Sequence, residues 1–177
     1  SPASAQEGAK EKIPVVASFS ILGDIVQNVG GDRVAVKSLV GPNSDAHVYS
    51  PSPADAKTLA DAKVVFTNGL GFEGWIGRLI KSSNTKAPNV IAAKGIKPRK
   101  MADAHGHGHG DGDPHAWQSV PNVKIYVANI RDGLTAADPA GKAAYDANAA
   151  AYLAKLDALD REVRDAIAKI PTERRKI

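Results

Sequence analysis

Hydrophobic and polar positions along this chain follow two alternating periods. Ile13, Val15, Val16 and Ala17 form a short apolar run, and residues 13–18 predict a buried strand. Ile21, Leu22, Ile25, Val26 and Val29 then recur at helical spacing. Residues 21–29 therefore predict a helix, with Ser20 as its cap and Gly30 and Gly31 as its stop. Residues 33–40, 63–68 and 89–93 are short β-prone runs and predict three more strands. Between them, residues 54–62 predict a helix behind Pro53. Residues 72–82 predict another, with Trp75, Ile76, Leu79 and Ile80 on one face. Strands that alternate with helices need parallel crossovers. The expected fold is α/β, a parallel four-stranded sheet flanked by helices.

Beyond residue 118 the period is helical throughout. Ser119 and Pro121 open a helix to about Ala136, with Val123, Ile125, Tyr126, Ile130 and Leu134 as its apolar stripe. Asp138 and Pro139 are expected to cap a longer helix that reaches about Ile170. Its stripe is Tyr145, Ala149, Tyr152, Leu156, Leu159, Val163, Ile167 and Ile170. At 1.5 Å per residue such a helix runs roughly 45 Å, more than the width of a small domain. Pro171 ends it, and residues 172–177 look like the approach to a further strand.

Composition narrows the function. The 177 residues are 43% hydrophobic and 24% charged, an ordinary globular balance with length enough for a core. A net charge of +4 spread along the chain, with 5% aromatic residues, argues against nucleic-acid binding. With no cysteine there is no disulfide and no thiolate metal site. No apolar run is long enough for a membrane-crossing helix. Residues 1–12 are small and polar, as a flexible leader behind a removed export signal would be.

The histidines carry the candidate chemistry. Four of the five lie between residues 105 and 115. His105, His107 and His109 alternate with glycine, and His115 follows Asp113 and Pro114. The fifth, His47, sits in a loop punctuated by Pro42, Pro51 and Pro53. Imidazole is the commonest metal-binding side chain. Both loops follow strands at the carboxyl end of the sheet, where α/β folds gather ligands, so one shared metal site is expected. Asp111 and Asp113 can add oxygen donors, and Asp113 is also placed to hold the backbone through a turn bond. Asp24, Asn68 and Glu73 are expected near strand ends, as partners behind the ligands or as helix caps. Trp75 and Trp117 are expected in the core.

These motifs resemble the metal-specific solute-binding proteins of bacterial zinc and manganese ABC importers, the cluster A-I family. The matching stretches are residues 17–24, the loop from Gly41 to Asp55 with His47 and Tyr49, and Asn68 to Gly71 with Glu73 and Trp75. They continue through Asp113, Pro114, His115 and Trp117 to Asn129, Arg131 and Asp132. Ser50 departs from the acidic or amide residue common after the tyrosine. The resemblance implies two α/β lobes joined by one long helix, with metal between them and His47 and His115 as the amino-terminal ligands. It implies an amino-terminal lobe at 13–137, a linker helix at 138–171, and at 172–177 the start of a second lobe that is absent here. It further implies capture of Zn²⁺ outside the cytoplasm for an ABC permease, with the residue 105–109 loop as an auxiliary collector and no enzymatic activity.

Within that class the competing cargo is Mn²⁺ or Fe²⁺; the histidine-rich loop leans towards zinc. A metal-dependent hydrolase is the remote alternative. Glu73 would be its only obvious base, and no His-Glu-x-x-His pattern is present. If the second lobe is absent, the stripe of the long helix loses cover, and exposed stripes drive association. A homo-oligomer, with helices exchanged, is expected at high concentration. Sedimentation over a concentration series checks this, and a constant monomer mass contradicts it.

Overall fold

A computed structural model describes residues 11–100 and 112–175. Four parallel strands, β1 (Ile13–Phe19), β2 (Val34–Val40), β3 (Val64–Thr67) and β4 (Asn89–Ile91), form one sheet in the order β2-β1-β3-β4. From Val15 to Phe19 every residue of β1 is buried, so both faces of the sheet centre are covered. Helix α1 (Ser20–Gly30) packs on β1 and β2. Helices α2 (Pro53–Ala60) and α3 (Ile76–Ser83) pack on each other. Helices α4 (Val120–Ala137) and α5 (Lys142–Ala168) pack together and against α1. Gly133 is what lets α4 lie close on the sheet: a Cβ there would come within 2.9 Å of Val90 and 3.0 Å of Phe66.

The elements are those the pattern predicts, with shifted ends. Ser20 does not cap α1; it is the first helical residue, and Phe19 stands at the cap without a side-chain bond. Gly31, at φ 56°, does end the helix. The cap of α2 is Ser52, which accepts from the Asp55 N–H while the Asp55 carboxylate accepts from the Ser52 N–H. Helix α3 starts four residues later than expected. Gly69, Leu70 and Gly71 all take left-handed backbone angles and hold residues 69–75 in turns. Strand β4 is two residues shorter than predicted, because the chain turns after Ile91 and leaves Ala92 and Ala93 buried in the bend.

Asp138 is likewise not the cap of α5. A 3-10 turn, Pro139–Gly141, precedes α5, whose cap residue is Gly141, and the Asp138 carboxylate lies over Gly141 without making a side-chain cap bond. It accepts from Arg33 at 2.7 and 2.9 Å and from the Tyr145 hydroxyl at 2.7 Å. Burial pushes the Tyr145 phenol up to about 12, which keeps it a donor. The α5 stripe then divides. Tyr145, Ala149 and Leu156 are buried, whereas Leu159, Val163, Ile167 and Ile170 are 39–47% exposed. The helix runs about 40 Å by its rise per residue. Residues Thr172–Arg174 form a 3-10 turn rather than the start of a strand.

Burial alone would raise the Asp138 carboxyl, but the bonds from Tyr145 and Arg33 outweigh it and hold the group below the usual carboxylate range. The folded-state value is the lower one, so its stabilisation is complete above the unfolded value near pH 4 and lost as pH falls through the folded value. Asp138→Asn should therefore lower the urea midpoint at pH 7. The gap to the unsubstituted chain should close on acidification, which urea titrations across pH 2–7 would measure.

Candidate metal centre

The order β2-β1-β3-β4 sends the chain to opposite sides after β1, so the sheet has its switch point between β1 and β3. Two loops cross over that point. The loop after β2 carries His47, and the segment after β4 carries His115. Their Nε2 atoms meet at 3.0 Å although the residues are 68 positions apart.

Each imidazole is held from behind. Around His47, the Asp45 carboxylate accepts the backbone N–H at 2.8 Å, and the buried Trp75 donates its indole N–H to the Ala46 carbonyl at 2.7 Å. Phe72 lies edge-on to the His47 ring, with centroids 4.6 Å apart. Around His115, one Asp113 oxygen accepts from the backbone N–H at 3.0 Å and lies 2.7 Å from ring Nδ1. The His115 backbone N–H and then its ring hold the Asp113 carboxyl below the ordinary carboxylate range. A carboxylate at Nδ1 places the ring proton there and leaves the Nε2 lone pair free, the tautomer a metal needs. In the neutral pair, His47 then donates its Nε2 proton to His115, so an ion binding both nitrogens must displace that proton. Phe19, Phe72 and Trp117 pack as a cluster with centroids 4.8–4.9 Å apart, against one side of the pair.

Asn68 and Glu73 lie beneath the histidines. Glu73 is buried and accepts from Ser18 Oγ, from the Asn68 N–H at 2.6 Å and from the Gly69 N–H at 3.2 Å. Asn68 donates from Nδ2 to the Pro114 and Gly69 carbonyls, each at 3.0 Å, and accepts from the Tyr126 hydroxyl. Asp24 is not part of this arrangement. It lies on the exposed face of α1, where Asn28 is its hydrogen-bond partner, because helical geometry turns it away from the strand end. His105, His107, His109 and Asp111 lie outside the described residues. Among the described residues no group of three or more His, Asp or Glu side chains is placed to hold a metal ion. The pair therefore offers two ligands. Tetrahedral Zn–N bonds near 2.0–2.1 Å set two nitrogens about 3.3 Å apart, so the rings need only open slightly to accept an ion.

Sequence reasoning missed the aromatic wall, the Tyr126 hydroxyl and the Asp45 turn bond. Asp45 stands two residues before His47, as Asp113 does before His115, so a repeated Asp-x-His signal was available. Nothing local in the sequence connects Tyr126 to Asn68.

Solved structures that share this parallel α/β sheet include periplasmic metal-binding proteins. The Mn-bound periplasmic metal binding protein from Candidatus Liberibacter asiaticus superposes with a TM-score of 0.82 at 34% identity, over 93% of this chain and 60% of that one. A zinc-bound ZnuA deletion mutant superposes at 0.84 with 31% identity, over 91% and 60%. The chain belongs to the family described as "ZnuA: Zinc-uptake complex component A periplasmic", which it matches over residues 15–177. Among curated relatives, the manganese-binding lipoprotein MntA of Halalkalibacterium halodurans is 42% identical over 94% of this chain and 54% of its own length. The iron-binding protein YfeA of Yersinia pestis is 36% identical over 93% and 52%. The chain thus spans about half the length of the curated relatives it matches.

The tautomer of His115 can be observed directly. In ¹⁵N-resolved spectra of the metal-free chain at neutral pH, His115 should appear as the Nδ1–H form. Asp113→Ala should turn that signal into a tautomer mixture, and an unchanged signal would contradict the assignment.

Proposed function

We propose that His47 and His115 take up a divalent transition-metal ion through their Nε2 atoms as cargo. The chain would be the metal-receiving part of an extracytoplasmic solute-binding protein that passes the ion to an ABC permease. The observation that carries this reading is the approach of the two Nε2 atoms to 3.0 Å at the switch point, with Asp113 behind one of them. Binding and release need no bond chemistry, so no enzymatic activity is assigned. Glu73 does not serve a hydrolase reading: its carboxyl is buried among hydrogen bonds from Ser18, Asn68 and Gly69 and faces no open site.

Zinc is the proposed cargo, since paired imidazoles suit it and His105, His107 and His109 would add a collecting segment beside the site. Manganese or iron is the second reading, favoured by the manganese-binding and iron-binding relatives. Location in the periplasm or on the extracytoplasmic membrane surface is supported by the periplasmic and lipoprotein names of relatives. In this reading residues 13–137 are the metal-binding lobe and 138–171 the linker helix. The exposed residues Leu159, Val163, Ile167 and Ile170 would be the surface through which copies associate.

Calorimetric titration of the metal-free chain with Zn²⁺ and with Mn²⁺ tests this. Zinc binding should be lost in His47→Ala and in His115→Ala, and only reduced in a chain lacking residues 105–109. Tighter manganese than zinc binding would favour the second reading. Binding that survives both histidine substitutions and disappears with residues 105–109 would overturn the site.

A further inference from the structure

The peptide unit between Pro114 and His115 is pinned at both ends. Its carbonyl accepts from Asn68 Nδ2 at 3.0 Å, and its N–H is held by Asp113 at 3.0 Å. That plane fixes how the chain enters His115, whose backbone at φ −81° and ψ 45° belongs to neither a strand nor a helix. The Asp113 end is local. The Asn68 end depends on which way a side-chain amide points, since an amide turned over would set its oxygen against two carbonyls.

What decides the orientation is Tyr126. Its hydroxyl, on a fully buried residue of α4, donates to Asn68 Oδ1. Burial first, and the nearby Glu73 second, push the phenol far above its ordinary value, so it remains a donor. A fixed donor at Oδ1 directs the Asn68 NH₂ group to the Pro114 and Gly69 carbonyls. The Asn68 N–H is itself held by Glu73, so the residue cannot swing to follow a moved partner.

We propose that Tyr126 is a positioning residue for metal binding: through the Asn68 amide and the Pro114 carbonyl it holds the peptide plane that presents His115 to the ion. Neither Tyr126 nor Asn68 is a ligand. The inference rests on the reading of His47 and His115 as the metal pair. Its reach is limited to the His115 side, because the contacts that hold the His47 loop, Asp45 and Trp75, share no hydrogen bond with Tyr126 or Asn68.

The test is zinc affinity of the metal-free chain in three variants, with unfolding by urea measured on each. Loss of a partner behind a ligand typically weakens metal binding 10–100-fold. Tyr126→Phe should weaken zinc binding about tenfold or more, and in ¹⁵N spectra the His115 ring signals should shift more than those of His47. Asn68→Leu should weaken binding at least as much. The double variant Tyr126→Phe/Asn68→Leu replaces both polar partners by apolar groups and should recover stability lost in Asn68→Leu. Its zinc affinity should stay low. Recovery of affinity together with stability would show a purely structural role and overturn the proposal, as would wild-type affinity in folded Tyr126→Phe. If His47→Ala and His115→Ala bind zinc like the unsubstituted chain, the site reading itself has failed, and that outcome is distinct from both.

Discussion

The buried carboxyl of Glu73 ties the functional end of this molecule together. It accepts from Ser18 at the end of β1 and from the N–H groups of Asn68 and Gly69 just past β3, which are the two strands that flank the switch point. A buried carboxyl is costly unless its lone pairs are filled, and three donors converge on this one. Filling them forces the chain to turn back through Gly69, Leu70 and Gly71, all in left-handed backbone angles. That turn delays α3 and sets Phe72 beside His47. It also fixes Asn68, from which the hold on the His115 segment proceeds.

The two imidazoles are therefore presented by different means. His47 rides on a loop fastened by the Trp75 indole and an Asp45 turn bond. His115 is held by the Asp113 carboxylate at its ring and by the pinned peptide plane before it. The aromatic cluster of Phe19, Phe72 and Trp117 lies against the pair on one side. A low-dielectric wall strengthens any charge interaction on the open side.

Helix α5 behaves as two helices in one. Its first half is anchored by Tyr145 and Asn148, which reach Asp138 and the Val29 carbonyl at the end of α1. In its second half the same apolar stripe is exposed at Leu159, Val163 and Ile167. An unbroken period with a change of burial midway marks a helix that extends past the body on which it starts.

Much of this was legible in the residues. Periodicity placed the four strands and five helices, because burial on one face imposes a period of two or 3.6 wherever an element packs. The histidines, and their places after β2 and β4, were readable because loop chemistry is local. The errors were of one kind. Ser20 and Asp138 looked like caps, and Asp24 like a partner of the site, because each residue type suits that role at short range. Tertiary contacts gave Asp138 to Arg33 and Tyr145, and the helix's own geometry turned Asp24 to solvent. By itself the sequence determined the α/β layers, through pattern along the chain, and the family, through the resemblance of its motifs. Only the tertiary structure decided that His47 and His115 touch, which tautomer His115 holds, and that Tyr126 and Asn68 stand behind it. Hydrogen bonds between residues 46, 58 and 68 positions apart leave no trace in local spacing.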